Sequence, residues 1–383
     1  MKNIAPTGIM IFLCTVLPAI AASEFTNAPY LNTAATAWGR VLDNFGGGGA
    51  VAYQLNNARN TDPARFQKFL SVVAYNDAAL TLYDTLQKID LNFRATTAPL
   101  SSRRTNCTYN LPNCRHAHRH MDVDATAVAT YNRFDSGNNT NFRTRNHGAH
   151  IRATGYLTDG IALGVAYSYL DTQSRQTAPQ TNATTNTLTL FSEYLGKTGI
   201  FINMGLAGGN TSWQSDKTIA GVLNTSAYDT DFIATQINSG IALTRGLFTI
   251  IPHLGARYAR LYTHKHIDAA AQEFRKWWYN TLTGMGGLKL GYDFIGTWFL
   301  VRPTLNAGLS YDFITNGTEK ITVRLLNGDR YQMPIATPHR TAFTGGIGLE
   351  FISNYFNIGF SYDLDIRSDY TAHTGMLNIK FTF

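Results

Sequence analysis

Three groups of side chains in this 383-residue chain have the type and spacing to do chemistry. His116, His118 and His120 alternate within R-H-A-H-R-H at 115–120. In an extended strand they share a face, where imidazoles can hold Zn²⁺, Ni²⁺ or Cu²⁺. Arg115 and Arg119 repel a cation, and the nearest carboxylate is Asp122. The same run could instead contact lipid phosphates, or be a solvated connector. His264, His266 and Asp268 carry groups from which hydrolytic sites are made, but His and Asp scattered through a polar loop are far more often simply solvated. The chain has no G-x-S-x-G, H-E-x-x-H or P-loop motif. We assign no catalytic residue, no metal site and no cofactor. Cys107 and Cys114 are close enough in sequence to form a local disulfide in an oxidising compartment.

The N-terminus indicates such a compartment. Lys2, an apolar run at 9–17 and the small residues of Ala19-Ile20-Ala21 read as a signal peptide over 1–22. The run is too short for a spanning helix, and no later stretch reaches the ~20 apolar residues that one needs. Cys14 lies inside it and goes with the signal. Charged residues are only 15% of the chain, while 33 glycines and 20 tyrosines accompany many threonines and asparagines. This balance suits strands with one lipid face and one polar face. The net charge of +7 is modest for the length and suits a mixed surface, or attraction to anionic headgroups or polyanions. Nothing points to nucleic acid.

Hydrophobic period separates two regions. Between 33 and 93 it is helical. Ala34, Ala37, Trp38, Val41, Leu42 and Phe45 recur at three and four residues, and the glycines at 46–49 end that segment. A second helix opens at Asp62-Pro63 with Phe66, Phe69, Leu70 and Val73 on its apolar face. A third, from Asn76, carries Leu80, Tyr83, Leu86 and Leu91. Residues 94–122 read as a polar linker with the cysteine pair.

Beyond it the period is two. Ile161, Leu163, Val165, Tyr167 and Tyr169 make one apolar face; Phe356, Ile358, Phe360, Tyr362 and Leu364 make another. We place about twelve strands, starting near 124, 145, 161, 184, 199, 228, 247, 277, 297, 339, 355 and 372. Tight turns at 158–160, 196–199, 245–246, 294–296 and 353–354 alternate with polar loops at 135–142, 171–183, 213–227, 264–276, 315–338 and 365–371. Short periplasmic turns alternating with long external loops, on an even strand count, are the pattern of an outer-membrane barrel. The last strand puts Leu377, Ile379, Phe381 and Phe383 on one face. Such an edge recruits other chains in a soluble sheet, but can seal the seam of a closed barrel.

A barrel of about twelve strands behind a helical segment, closed by an aromatic strand, resembles the translocator domain of autotransporters. Residues 33–43 (T-A-A-T-A-W-G-R-V-L-D) resemble the alanine-rich helix ending in Leu-Asp that precedes many such barrels. Residues 66–86 resemble the paired short helices that follow it. The resemblance implies a secretion device, inserted with the barrel-assembly machinery, which reads Leu377, Ile379, Phe381 and Phe383 as its signal. It also implies a helix threaded through the lumen. Arg152, Arg257, Lys289, Arg302, Asp312 and Glu350 are candidate inward partners for such a helix, or a set that solvates itself. Asn56-Asn57 and Asn138-Asn139 do not sit in the context of the family's self-cleavage step, so that activity is not carried over. The segment before the barrel is also far shorter than the family's usual cargo.

The resulting expectation is an all-β transmembrane barrel at 123–383 with about 12 antiparallel strands, preceded by a short α-helical segment. Residues 23–93 are a helical prelude or short passenger. The barrel sits as a monomer among the lipids of a Gram-negative outer membrane, where it translocates or displays its N-terminal segment. The alternative is a stand-alone barrel acting as a pore, or as an adhesin through its external loops.

Overall fold

A computed structural model describes residues 77–108, 121–134, 142–175, 180–219, 222–268, 272–296, 299–325, 328–353 and 356–383, with the side chains of 98–108, 175, 219, 222 and 334 excepted. The helices expected at 33–46 and 62–73, the histidine run, and the Cys107–Cys114 pairing lie outside what is described.

Twelve long strands form the wall. They are β1 (Met121–Phe134), β2 (Phe142–Thr158), β3 (Ile161–Arg175), β4 (Gln180–Leu195), β5 (Ile200–Ile219), β6 (Val222–Ile241), β7 (Phe248–Thr263), β8 (Trp277–Tyr292), β9 (Leu300–Gly317), β10 (Thr341–Ile352), β11 (Phe356–Arg367) and β12 (Tyr370–Thr382). Each is antiparallel to its chain neighbours, and β12 returns to β1 in a continuous register from Asp122↔Thr382 to Phe134↔Tyr370. The closed barrel thus leaves no edge, as a bilayer demands, because an unpaired amide in hydrocarbon costs several kcal/mol. Expected strand starts agree with the observed ones to within a few residues, the largest offset being at β6.

Why these segments are strands follows from their alternation. Along β1 exposure alternates almost residue by residue: Ala125, Ala127, Ala129 and Tyr131 face out while Asp124, Thr126, Thr130 and Asn132 face in. The outward set elsewhere is larger. Ile151, Leu163, Val165, Leu188, Leu190, Ile233, Leu254, Leu305, Ile347 and Phe360 are all exposed in the isolated molecule, and acyl chains would cover them in the membrane. The inner wall is dominated by threonine, serine and asparagine. Their hydroxyls pair across strands, as in Thr185–Thr211 at 2.8 Å and Thr230–Thr263 at 3.0 Å. Such pairs satisfy polar groups without charge.

Among the described residues a single helix, α1 (Ala78–Thr108), precedes β1. It corrects the expectation that helical structure gives way to a polar linker at 94. Residues 94–108 lack an apolar stripe, and Pro99 removes one helical donor. A helix inside a polar lumen needs no such stripe. Thr96 and Thr97 also bond back to the carbonyls of Asn92 and Phe93 at 2.8 and 2.9 Å.

Two more corrections concern the loops at the external end, where β1–β2, β3–β4 and β5–β6 are joined. The loop expected at 213–227 is largely strand: β5 and β6 stay paired from Trp213↔Tyr228 out to Ile219↔Val222. The loops at 264–276 and 315–338 contribute the short strands His266–Ile267, Glu273–Phe274, Lys320–Arg324 and Arg330–Pro334, which make a separate four-stranded sheet. Ile321, Val323, Tyr331 and Met333 are buried there. These runs are too short for a period of two to be legible.

Val165 lies midway along the lipid-facing row of β3. Val165→Arg should destabilise the barrel by about 2–4 kcal/mol in urea titrations of protein inserted into lipid vesicles. A polar change at the lumen-facing Ser168 should cost much less.

Candidate functional site

The functional core of this molecule is the lumen and the helix that fills part of it. At ~1.5 Å per residue, a 31-residue helix is about 46 Å long, enough to pass through a bilayer. Its N-terminal end lies at the external mouth, because the residues around it end the strands there. Ala79, Leu80 and Tyr83 pack in one buried cluster with Phe134, Phe142, Trp213, Tyr228 and Tyr370. The Tyr83 ring lies 4.2 Å from that of Phe134 and 5.8 Å from that of Tyr370. Its hydroxyl donates to Asp369 at 2.6 Å. This inward aromatic collar was invisible as a unit in the sequence, since its members come from five strands and appear singly among polar neighbours.

Above the collar the helix start is tied to the loops. Asp77 lies 3.9 Å from Lys217, which pairs with Asp268 at 3.1 Å. Burial raises the Asp77 carboxyl above its ordinary value, with Lys217 pulling the other way. Asp268 accepts from the Gln272 amide at 2.9 Å, and Tyr331 bonds to Gln272. The His266 ring stacks between Tyr228 (4.3 Å) and Phe274 (5.0 Å). Burial lowers its affinity for a proton. His264 pairs instead with Asp231 at 2.7 Å. His264, His266 and Asp268, weighed from sequence as raw material for a hydrolytic site, therefore turn to three different partners and form no common centre.

Midway down, polar wall residues replace the aromatics. Asp84 accepts from Asn146 at 3.0 Å and pairs with Lys88 at 2.7 Å. The Lys88 ammonium also lies 5.0 Å from the centre of the Trp213 ring. Gln87 donates to Asn132 at 2.6 Å. Lower, Asn92 donates to Thr189 at 2.7 Å and accepts from Ser168 at 2.7 Å. Asp90 bonds Arg257 and Arg94, each at 2.5 Å, and Arg94 reaches Asp365 at 3.4 Å. Phe93 lodges where β5 carries Gly205: a Cβ there would come within 2.8 Å of the ring. Only a glycine admits so close an approach.

The six charged residues singled out from sequence separate into three arrangements. Arg152 and Arg257 touch the helix; Arg152 donates to the Thr96 carbonyl and to Asp124, both at 2.6 Å. Lys289, Arg302 and Glu350 instead cluster on the wall with Asp293, with Lys289–Glu350 at 3.4 Å and Arg302–Glu350 at 3.6 Å. Asp312 pairs with Arg367 at 2.9 Å. The helix residues that meet the wall (Asp84, Gln87, Asp90, Asn92 and Arg94) were missed. Their signal was polar residues on every face of a helical period.

The helix does not fill the barrel. A cleft of about 330 Å³ lies beside it, lined by Asp90 and Arg94 of the helix and by wall residues such as Asn238 of β6, Lys289 of β8, Asn306 of β9 and Glu350 of β10. Leu377, Ile379, Phe381 and Phe383 form the outward row of β12 and its end, with Phe381 and Phe383 the most exposed.

Known proteins share this architecture. The translocator domain of the autotransporter NalP from Neisseria meningitidis superposes with a TM-score of 0.61 at 14% identity, covering 80% of this chain and 99% of that one. The β domain of the Bordetella autotransporter BrkA gives 0.54 at 13%, covering 69% and 100%. The transport unit of AIDA-I from Escherichia coli gives 0.52 at 14%, covering 74% and 97%. In sequence, Outer membrane protein A of Rickettsia conorii is 23% identical over 268 residues, and that of Rickettsia rickettsii 22%. Each match takes in 63% of this chain, which spans only 13% and 12% of those relatives' lengths. The family model for the autotransporter β-domain matches residues 125–363, from the first strand of the barrel into the eleventh. With that match over a closed twelve-stranded wall, this chain belongs to the autotransporter β-domain family and is an outer-membrane barrel of Gram-negative bacteria.

Proposed function

We propose that this barrel conveys an N-terminal segment of its own chain to the cell surface and holds it there by the helix in its lumen. The observation that carries this reading is the direction of α1. Its first residues sit in the aromatic collar at the external mouth, and its chain continues toward β1, which starts at the opposite end. Residues ahead of 77 then emerge outside, after a signal peptide at 1–22 has directed export and been removed. On this reading residues 23–93 hold the cargo and part of its anchor.

Polar contacts on all sides of the helix support a role for the lumen wall in holding it, with Arg152 and Arg257 as direct partners. Lys289 and Glu350 line the remaining cleft and keep it hydrated, while Arg302 and Asp312 pair within the wall with Asp293 and Arg367. The barrel works as a monomer, without catalysis and without a cofactor. Its insertion depends on the barrel-assembly machinery, which reads the outward row Leu377, Ile379, Phe381 and Phe383. Cys107 and Cys114 are joined by a local disulfide.

The reading is tested on intact cells. An epitope placed after Ala22 should be reachable by external protease and antibody; an epitope protected until the outer membrane is broken would identify a stand-alone barrel instead. Grip on the helix is tested in planar bilayers. Wild-type protein should conduct little, and Arg257→Gln, which removes a charged bond of about 1.5–3 kcal/mol, should raise the mean conductance or its fluctuations. Gly205→Val should do so more strongly, since the added side chain takes the place of the Phe93 ring. Unchanged currents in both variants would show that these contacts do not hold the helix.

A further inference from the structure

The four-stranded external sheet has two unlike faces. Its strands pair antiparallel in the order Arg330–Pro334, Lys320–Arg324, Glu273–Phe274 and His266–Ile267. Phe274, Ile321, Val323, Tyr331 and Met333 are buried on the inner face. The pleat then turns Lys320, Thr322 and Arg324 of one strand, and Arg330 and Gln332 of its neighbour, to the other face. Arg324 stands directly opposite Arg330 on one side and Glu273 on the other. Arg275 continues the third strand, its amide donating to the Thr322 carbonyl at 3.1 Å. Lys265, just before the fourth, pairs with Glu273 at 3.0 Å. Lys265, Arg275, Lys320, Arg324 and Arg330 are all exposed.

These five cations share the face with one acid, Glu273. A hydrogen bond from Lys265, with Arg324 and Arg275 close by, holds its carboxyl below the usual carboxylate range. Glu319 and Asp329, ahead of Lys320 and Arg330 in the chain, still leave the cations in excess. Like charges directly opposite one another destabilise a sheet, so an anion that bridges Arg324 and Arg330 stabilises this one. At ~4.8 Å between strands and ~3.4 Å per residue, the cations spread over about 14 Å in each direction. That is too wide for one small anion and suits a chain that carries several. Guanidinium groups match the paired oxygens of a tetrahedral oxyanion and are weakly hydrated.

Two kinds of polyanion fit this face poorly. A lipid headgroup brings acyl chains, yet among the described side chains here Ile267 alone is apolar. A single-stranded nucleic acid brings bases that stack on aromatic rings, and the rings of Phe274 and Tyr331 lie on the buried side. A linear polysaccharide needs neither, and Thr322 and Gln332 offer hydrogen bonds to its hydroxyls. We propose that the outward face of this sheet, through Lys265, Arg275, Lys320, Arg324 and Arg330, binds a linear sulfated polysaccharide outside the cell. The site stands apart from the lumen and does not depend on what the helix carries.

Binding of the full chain in detergent micelles to heparin is read by equilibrium titration at several salt concentrations. The comparison probes are heparin stripped of its sulfates and a single-stranded oligonucleotide of matched charge. Heparin should bind, with an affinity that falls as salt rises. The desulfated chain, which keeps its carboxylates, should bind more weakly by about tenfold or more. The double variant R324Q/R330Q should weaken heparin binding about thirtyfold. Glu273→Gln should strengthen it about fivefold, because it removes the one acid of the face and releases Lys265. The control R143Q/R145Q, which removes the same charge from the exposed side of β2, should change little. The proposal is overturned by an absence of heparin binding, by equal affinity for the desulfated chain or the oligonucleotide, or by the same loss in the control. Should R324Q/R330Q not give a heat-resistant folded barrel, the sulfate comparison and the Glu273→Gln gain decide.

Discussion

Every backbone amide that enters hydrocarbon must be paired within the protein, and the rest of this structure depends on that constraint. It excludes an open sheet, and so requires the thirteen-residue register in which β12 closes on β1, from Asp122↔Thr382 to Phe134↔Tyr370. Once the wall is closed, each strand has an inside and an outside, and the pleat assigns alternate residues to them. Lipid takes the apolar set. The other set lines a polar tube, where Asp122 and Lys380 at 3.5 Å bridge the seam from within.

A polar tube changes what its occupant must be. A soluble helix is held by an apolar stripe, but α1 is held by bonds distributed around its circumference and along its length. Apolar packing dominates at the external mouth, in the collar around Leu80 and Tyr83, with smaller apolar contacts deeper, where Leu91 meets Val128 and Leu170. The mouth therefore grips by shape and the shaft by hydrogen bonds and ion pairs, such as Asn92 with Thr189 and Asp90 with Arg257. Exclusion of water at the collar strengthens the Asp77–Lys217–Asp268 chain just above it. The cleft beside the shaft leaves room for water and keeps the wall charges solvated.

The two faces of the barrel thus have separate tasks. The inner face holds a segment of the chain, and its charges are balanced locally: Arg152 with Asp124, Arg302 with Asp293, Arg367 with Asp312. The outer face instead presents apolar rows, such as Ile161 to Tyr169 of β3, to acyl chains. A narrow lumen excludes large counter-ions, so its charges must be paired within the wall.

Most of the wall was legible in the chain because a period of two is a local property. Ile161 to Tyr169 alternates whether or not β3 has neighbours, and tight turns such as Thr158-Asp159-Gly160 announce themselves. Twelve strands, their approximate starts and the order of short and long connections could all be read off residue types. The inward character of Arg152, Arg257 and Arg302 was also readable, being opposite in phase to apolar rows. What only the tertiary structure decided was which of these residues meet. Arg152 and Arg257 reach the helix, while Arg302 turns to Asp293, because closure and register decide which positions meet, whether nine residues apart, as Asp293 and Arg302, or 167, as Asp90 and Arg257. The helical course of 94–108 was hidden for the same reason: its partner is a polar wall, which leaves no hydrophobic period behind. The aromatic collar and the four-stranded external sheet likewise draw single residues or short runs from distant loops. No window along the chain contains them, since long-range pairing, rather than local pattern, creates their surroundings.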